Sequence, residues 1–112
     1  MKDYIISFRE NKECALIEYH RVDKFDHYYE GVIIESYFPK EITFLIEERN
    51  GVIDAMAISL LDEVEEKLYS YHIGLKENGS MIFDIEITDG NKISFFTKYP
   101  SSQGYLDRYP GS

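Results

Sequence analysis

The sequence predicts a β-rich α+β domain in which hairpins build an antiparallel sheet and one short helix lies near residues 59–68. Three dipeptides, Asn50-Gly51, Asn78-Gly79 and Asp89-Gly90, each separate two strand-like runs. Asn-Gly and Asp-Gly accept the positive φ angles of a type I′ turn, whose twist matches that of the paired strands. Alternation of apolar and polar residues before the third turn is typical of a half-buried strand. The same hairpins would also fit a partly closed barrel.

The third turn has the most regular strands around it. One face of residues 81–88 is Met81, Phe83, Ile85 and Ile87, and the other is Ile82, Asp84, Glu86 and Thr88. This alternation predicts that Asp84 and Glu86 point to solvent from a strand whose other face is core. Residues 93–97 complete the hairpin, and residues 69–75 alternate in the same way upstream. A three-stranded meander over residues 68–98 is therefore predicted.

Two more hairpins and a single strand are predicted before the helix. They are runs 3–9 and 13–19 joined through 10–12, the strand 29–38 ended by Pro39, and runs 42–47 and 52–58 joined by Asn50-Gly51. Each run contains the β-branched and aromatic residues that strands favour.

Residues 59–68 have a helical rather than an alternating pattern. The apolar positions at helical spacing are Leu60, Leu61, Val64 and Leu68. Ser59 is placed to cap the helix, and Asp62 and Glu63 lie in its first turn, where the helix dipole favours negative charge. Residues 69–74 fit either continued helix or strand, and we favour strand.

The chain has the size and composition of one folded domain, with 112 residues of which 44% are hydrophobic. We expect residues 1–100 to form this domain and residues 101–112, which are rich in turn residues, to form a loosely ordered tail. The N-terminal residues are too charged for a signal peptide, and no apolar run approaches the roughly 18 residues of a membrane span, so we expect a cytoplasmic protein. The single cysteine, Cys14, cannot form an internal disulfide and is expected in the core.

The formal net charge is -9, from 21 acidic and 12 basic residues. Lys and Arg are scattered singly, so direct binding to nucleic acid, which is itself densely negative, is not expected. The charge either maintains solubility or complements a basic protein partner. The sequence has no phosphate-binding loop, dinucleotide fingerprint or nucleophile motif, so we expect neither an enzyme nor a cofactor.

One segment contains residues that bind metals in other contexts. His20, Asp23 and His27 would share a face if residues 20–27 were helical, and two imidazoles with one carboxylate form a known ligand set. Two basic residues lie among them and would repel a cation. We therefore expect a polar loop that leads into the strand at Tyr28-Tyr29, with the metal site as the alternative.

Two groups of carboxylates are candidate partner-binding residues. They are Asp62, Glu63, Glu65 and Glu66 on the predicted helix, and Asp84 and Glu86 on the predicted strand. With Glu35 or Glu47 from other strands, the second group could extend into a column across the sheet. Tyr28 and Tyr29 are candidate anchors, because Tyr is enriched at interface hot spots. An ordinary solvated helix face and polar sheet face would contain the same residues.

In length, acidity and β-rich pattern the chain resembles the small acidic immunity proteins of bacterial toxin systems, including contact-dependent inhibition. The resemblance includes no shared motif, so it carries over no residue roles. It implies a non-enzymatic, cytoplasmic protein that binds a basic toxin domain, often a nuclease, and blocks its active site. Two alternatives stay open: a small-molecule-binding or enzymatic β-rich domain, and a structural domain that oligomerises through its edge strands.

Overall fold

In the part of the chain that the structure describes, six antiparallel strands form one curled sheet and two α-helices pack with it. The structure, a computed structural model, describes residues 1–98. Its strands and helices are β1 (Lys2–Ser7), β2 (Lys12–Arg21), β3 (Tyr28–Ser36), α1 (Lys40–Asp54), α2 (Leu61–Tyr69), β4 (Ile73–Leu75), β5 (Phe83–Thr88) and β6 (Lys92–Phe96). The strands lie in the order β4-β1-β2-β3-β6-β5. The predicted β-rich α+β class is confirmed, and the predicted tail at 101–112 lies outside the described residues.

One hydrophobic core joins the sheet to the helices. It includes Ile17 of β2, Ile42 of α1, Leu68 of α2 and Phe95 of β6, all fully buried. Cys14 belongs to the same core, as predicted. We call the face of the sheet that contributes to this core the inner face, and the opposite one the outer face.

The sheet curls until its two edges approach each other. In ladder order β4 and β5 are the outermost strands, yet Gly74 of β4 bridges Met81, just before β5. A side chain at Gly74 would not fit there, because a Cβ would lie 2.6 Å from both the Phe8 ring and the Ser80 carbonyl oxygen. The sheet is therefore a half-barrel, in agreement with the partly closed barrel that the hairpin pattern allows.

Two of the three predicted turns are present, but the strand pairing predicted across one of them is wrong. Asp89 and Gly90 have φ angles of 53° and 79° and join β5 to β6. The turn at Asn78-Gly79 also exists, with Gly79 at φ 80°, and leads from β4 to the bridge at Met81. The predicted meander is wrong, because β4 forms its ladder with β1 at the other side of the sheet.

The turn predicted at Asn50-Gly51 is wrong, because this dipeptide lies inside α1. The buried residues of α1 recur every three or four positions: Ile42, Leu45, Ile46, Arg49 and Ile53. One buried helical face therefore explains the apolar residues that the turn interpretation assigns to two strands. A glycine in the helix interior costs about 1 kcal/mol relative to alanine, and burial of this face outweighs that cost.

Helix α2 lies where the sequence predicts it, with a different cap. It begins at Leu61, directly after a single turn of 3-10 helix at Ile58–Leu60. Leu60 occupies the N-cap position and no side chain caps the helix, so the capping role predicted for Ser59 is wrong. Asp62 and Glu63 do lie in the first turn, as expected.

The strand predicted to start after residue 68 begins later in the structure. Helix α2 includes Tyr69, and the chain then turns, with His72 at φ 52°. Strand β4 begins only at Ile73 and has three residues.

Three buried charged side chains connect both helices to β5. Arg49 of α1 and Asp84 of β5 are 0% exposed, and Glu65 of α2 is 1% exposed. Arg49 Nε donates to Glu65 Oε1 at 3.1 Å, and Arg49 Nη1 donates to the Ile85 carbonyl at 3.2 Å. Arg49 Nη2 forms an ion pair with Asp84. Because an unpaired buried charge costs several kcal/mol, each of the three depends on the others.

Asp84 faces the interior because β5 is irregular at this point. Its φ angle is 55°, and the pairing register with β6 shifts between Phe83 and Glu86. The Asp84 N–H donates to the Tyr69 hydroxyl oxygen at 3.0 Å. The prediction that Asp84 shares a solvent-facing surface with Glu86 is therefore wrong.

Replacing Gly51 by alanine tests the helical assignment by the sign of its effect. A Cβ at Gly51 meets no atom within 4 Å, so Gly51→Ala should raise the free energy of unfolding by about 0.5–1 kcal/mol. Gly90→Ala is the matched control and should lower it, because Gly90 has a φ of 79°. Denaturant unfolding measures both. A loss of stability in Gly51→Ala would restore the turn interpretation.

Removing the buried guanidinium tests the ion cluster. Arg49→Met should lower the free energy of unfolding by about 3–5 kcal/mol, because two carboxylates stay buried without their cation. Lys67→Met removes an exposed ammonium group whose Nζ lies 3.6 Å from Glu63 Oε1. This substitution should change the free energy of unfolding by no more than about 1 kcal/mol. Adding Glu65→Leu and Asp84→Asn to Arg49→Met should recover part of the loss. Equal effects of Arg49→Met and Lys67→Met in denaturant unfolding would contradict a stabilising cluster.

Candidate functional site

The outer face of the sheet brings polar side chains of four strands into register. His20 of β2 lies opposite Glu30 of β3, Glu30 lies opposite Ser94 of β6, and Ser94 lies opposite Glu86 of β5. Directly opposed residues of antiparallel strands share a face, so these four form one row across the sheet. The neighbouring row is Glu18, Val32, Lys92 and Thr88.

These two rows line an open depression with a volume of about 520 Å³, and Tyr28 lies in its lining beside them. The floor is the sheet itself, so its position is fixed by backbone pairing rather than by a flexible loop. Val32 remains 45% exposed and gives the depression an apolar part. The depression therefore offers carboxylates, hydroxyls and one aliphatic side chain on a rigid base.

Tyr28 connects the depression to an aromatic cluster. Its ring centroid lies 5.4 Å from that of Phe25 and 5.0 Å from that of Phe96. Its hydroxyl donates a hydrogen bond to Glu30 Oε2 at 2.9 Å. Because burial disfavours the phenolate, and Glu30 and Glu86 are negative, the pKa of Tyr28 rises to about 12, although a hydrogen bond with Ser94 acts in the opposite direction. Tyr28 therefore stays a neutral donor that holds Glu30 in place.

The described residues that line the depression carry a net negative charge. Among them, Glu18, Glu30 and Glu86 contribute carboxylates and Lys92 contributes an ammonium group. Lys92 Nζ lies 3.3 Å from Asp89 Oδ2 at the hairpin turn, so its charge is partly compensated by a carboxylate outside the depression. Ionised carboxylates only accept hydrogen bonds, so a complementary ligand has to be cationic and rich in donors.

The predicted acidic group on the helix is divided by the structure. Asp62, Glu63 and Glu66 are exposed on α2, and Glu63 pairs with Lys67. Glu65 is buried against Arg49, so the expectation that it belongs to a surface group is wrong. The three exposed carboxylates stay candidates for partner binding.

The predicted strand group and its tyrosines are also separated. Glu86 and Tyr28 lie on the outer face, in the depression. Asp84 is interior, and Tyr29 packs on the inner side, with its ring 5.7 Å from Tyr19 and 5.8 Å from Phe95. Tyr29 is thus partly buried and packs against the core.

In place of the predicted column of carboxylates, the row across the sheet contains Glu30 and Glu86, which Ser94 separates. Glu35 lies exposed towards the end of β3, and Glu47 belongs to α1, so neither joins Glu86. Sequence reasoning missed Glu18 and Glu30. Glu18 alternates with Ile17 and Tyr19 in β2, and that alternation could have placed it on a polar face. No such alternation surrounds Glu30 in β3. Their alignment with Glu86 depends on strand order, which no local pattern contains.

The metal candidate residues do not converge. His20 lies on the outer face at the end of β2, Asp23 lies in the connection to β3, and His27 precedes β3 with a φ of 58°. Arg21 Nε lies 3.8 Å from Asp23 Oδ1. Within residues 1–98, no group of three or more His, Cys, Asp or Glu side chains is arranged to hold a metal ion. Residues 22–27 form a connection that leads into Tyr28-Tyr29, as the loop interpretation predicts.

Comparisons of the chain with protein-family models, with curated proteins and with solved structures found no match. Neither helix in the described part of the chain is long and apolar enough to cross a membrane. The function proposed below therefore depends on the chemistry of the outer face.

The raised pKa of Tyr28 gives a direct test of the geometry in the depression. Tyr28 should ionise near pH 12 in the folded protein, against an ordinary value of 10.0. The folded state then binds the proton more tightly than the unfolded state, so the stabilising effect is complete below pH 10 and is lost as the pH approaches 12. The difference between the phenolate absorbance titrations of the wild type and of Tyr28→Phe isolates this group.

The same titration of the Glu30→Gln variant tests the contribution of Glu30 to the Tyr28 pKa. Removing the negative charge that accepts the Tyr28 hydrogen bond should lower the Tyr28 pKa but leave it above 10.0, because burial, the largest cause of the raised pKa, remains. A wild-type difference curve centred at the ordinary value would show that Tyr28 is not held against Glu30.

Proposed function

We propose that this protein is a non-enzymatic, cytoplasmic inhibitor that binds a basic protein domain through the depression on its outer face, as an immunity protein neutralises a toxin. The observation that carries the proposal is the row in which Glu30 and Glu86 flank Ser94 on the rigid floor of an open, negative depression. Sheet residues do not need to reorganise on binding, which lowers the entropic cost of association. The acidity and the length of the chain support the same proposal.

The chemistry of the depression favours arginine as the partner's central residue. Guanidinium presents several N–H donors in a planar fork, which matches carboxylates better than the compact ammonium of lysine. Glu86 offers a carboxylate to such a fork, and Glu30 is oriented by Tyr28. Val32 and the ring of Tyr28 give the aliphatic part of the arginine side chain an apolar surface.

Toxins that act on nucleic acids need basic active sites, and such a site would complement this face. Glu30 and Glu86 on either side of Ser94, with Glu18 in the next row, resemble in their repeated negative charge the phosphates that a nuclease binds. The net charge of -9 would raise the association rate by attraction over a distance, and contacts in the depression would set the dissociation rate. The nuclease activity of the partner is part of the proposal.

A small organic cation, such as a polyamine, is the second candidate ligand. The volume of about 520 Å³ would accommodate one, and its amines would bind the same carboxylates. This function would be favoured if spermidine stabilises the protein against thermal unfolding and no protein partner is captured.

Charge reversal at two places tests the proposed interface. Glu30→Lys with Glu86→Lys changes the depression, and Asp62→Lys with Glu66→Lys changes the exposed face of α2 by the same net charge. Capture from the native host at low salt, and binding to the product of the neighbouring gene, are measured for both. We expect one stoichiometric basic partner. Its binding free energy should be weakened by about 2 kcal/mol or more in the first variant and not in the second.

Different results contradict different parts of the proposal. Absence of any basic partner contradicts the inhibitor function. If the partner is lost only in the α2 variant, the inhibitor function stands, but the interface lies on helix α2 and not in the depression. Equal weakening of both variants would indicate general charge attraction rather than a defined site.

A further inference from the structure

The loop at residues 76–80 contains an Asn-Gly pair in an exposed turn. Asn78 and Gly79 are both exposed, and Gly79 has a φ of 80° with no atom within 4 Å of an added Cβ. The Ser80 N–H donates to Asn78 Oδ1 at 3.2 Å, which polarises the side-chain amide. The surroundings of Gly79 are therefore open, and what restrains the Asn78 side chain from folding back onto the Gly79 backbone nitrogen is the hydrogen bonding of the loop.

We propose that Asn78 is a site of spontaneous deamidation whose rate is controlled by hydrogen bonds from the loop to Asp3. The second Asn-Gly pair, Asn50-Gly51, has the same chemistry available and is protected by helix α1. The modification is independent of the proposed inhibitor function.

The reaction needs water and no other reactant. The Gly79 backbone nitrogen gives its proton to hydroxide or water and attacks Asn78 Cγ, forming a C–N bond. The Cγ–Nδ2 bond breaks, and the side-chain nitrogen takes up a proton and leaves as ammonia, so that a five-membered succinimide remains. Water then opens the ring at either carbonyl, giving aspartate or isoaspartate. Nothing is oxidised or reduced.

Asp3 opposes this reaction by holding the loop. Its carboxylate is 4% exposed, and it accepts hydrogen bonds from the Glu77 N–H at 2.9 Å and the Asn78 N–H at 3.0 Å. The attacking Gly79 nitrogen is itself bonded to the Leu75 carbonyl at 2.8 Å. The loop has to open these bonds before attack, and local openings of an exposed turn cost far less than global unfolding.

Asn50 is protected by both its backbone and its side chain. It lies inside α1, where the helical backbone separates the next amide nitrogen from Asn50 Cγ. Its Nδ2 also donates to the Ile87 carbonyl at 3.0 Å, and the residue is half-buried. Attack at this position requires α1 to unfold.

The product would loosen the closure of the half-barrel. A carboxylate at position 78 would lie in the loop that the Asp3 carboxylate of β1 holds, so like charges would come close together. Isoaspartate would also add a methylene to the backbone that Asp3 holds. The Leu75 N–H bonds the Ser80 carbonyl at 2.8 Å across this loop, beside the bridge of Gly74 to Met81. These contacts join the two edges of the sheet.

Incubation of the folded, full-length protein at mildly alkaline pH, followed by digestion and mass spectrometry with isoaspartate detection, tests the proposal. Asn78 should convert at least about tenfold faster than Asn50 in the folded protein, and both should convert at similar rates in denaturant. Equal rates in the folded protein, or faster conversion of Asn50, would overturn the assignment. This comparison is made within one chain and needs no variant.

The role of Asp3 is tested separately. Asp3→Ala should accelerate conversion of Asn78 and leave Asn50 unchanged. Glu13→Ala is the control, because it removes the Lys76 ion pair at 3.0 Å without freeing a backbone N–H. An unchanged Asn78 rate in Asp3→Ala would show that Asp3 does not control the reaction. Acceleration at both sites would indicate general unfolding and would contradict local control.

Discussion

The fold depends on one guanidinium in the interior. Arg49 comes from the middle of α1 and reaches carboxylates on α2 and β5, so a single side chain fixes the positions of three elements. Apolar packing alone would allow small displacements of the helices along the sheet. Paired charges in a low-dielectric interior do not, because a displacement leaves a buried charge without its partner. The cluster therefore specifies one arrangement of helices and sheet.

The same cluster contributes to two of the errors in the sequence-based predictions. The hairpin at Asp89-Gly90, the opening hairpin of β1 and β2, and the helix near 59–68 follow from local patterns, and all are present. The error at Asn50-Gly51 arose because this dipeptide favours a turn, and because Arg49, at a buried helical position, counts as polar in a hydrophobic pattern. The prediction that Asp84 faces solvent failed for a similar reason, because a register shift in β5 turns this polar residue inward. Both positions become intelligible only when their partners, distant in sequence, are known.

The candidate site could be predicted only in part for a related reason. Glu86 and Tyr28 were identifiable, because alternation and residue type are local properties. The partnership of Glu86 with Glu30 across Ser94 requires that β6 lie between β3 and β5. Strand order of this kind is a property of the whole chain. The outer face thus differs from the inner face in origin: apolar patterning determines the core, and topology determines which surface carboxylates meet.

The pairing of β1 with β4 has a consequence for how the chain folds. Ile5 lies opposite Leu75, and two helices intervene between these strands in the sequence. The β1–β2 hairpin contains only local contacts and can form early, whereas the β1–β4 ladder has to wait until a long segment of chain is organised. During synthesis on the ribosome, β1 would therefore expose an unpaired edge until β4 emerges. That interval is when the nascent chain is most open to association with other strands.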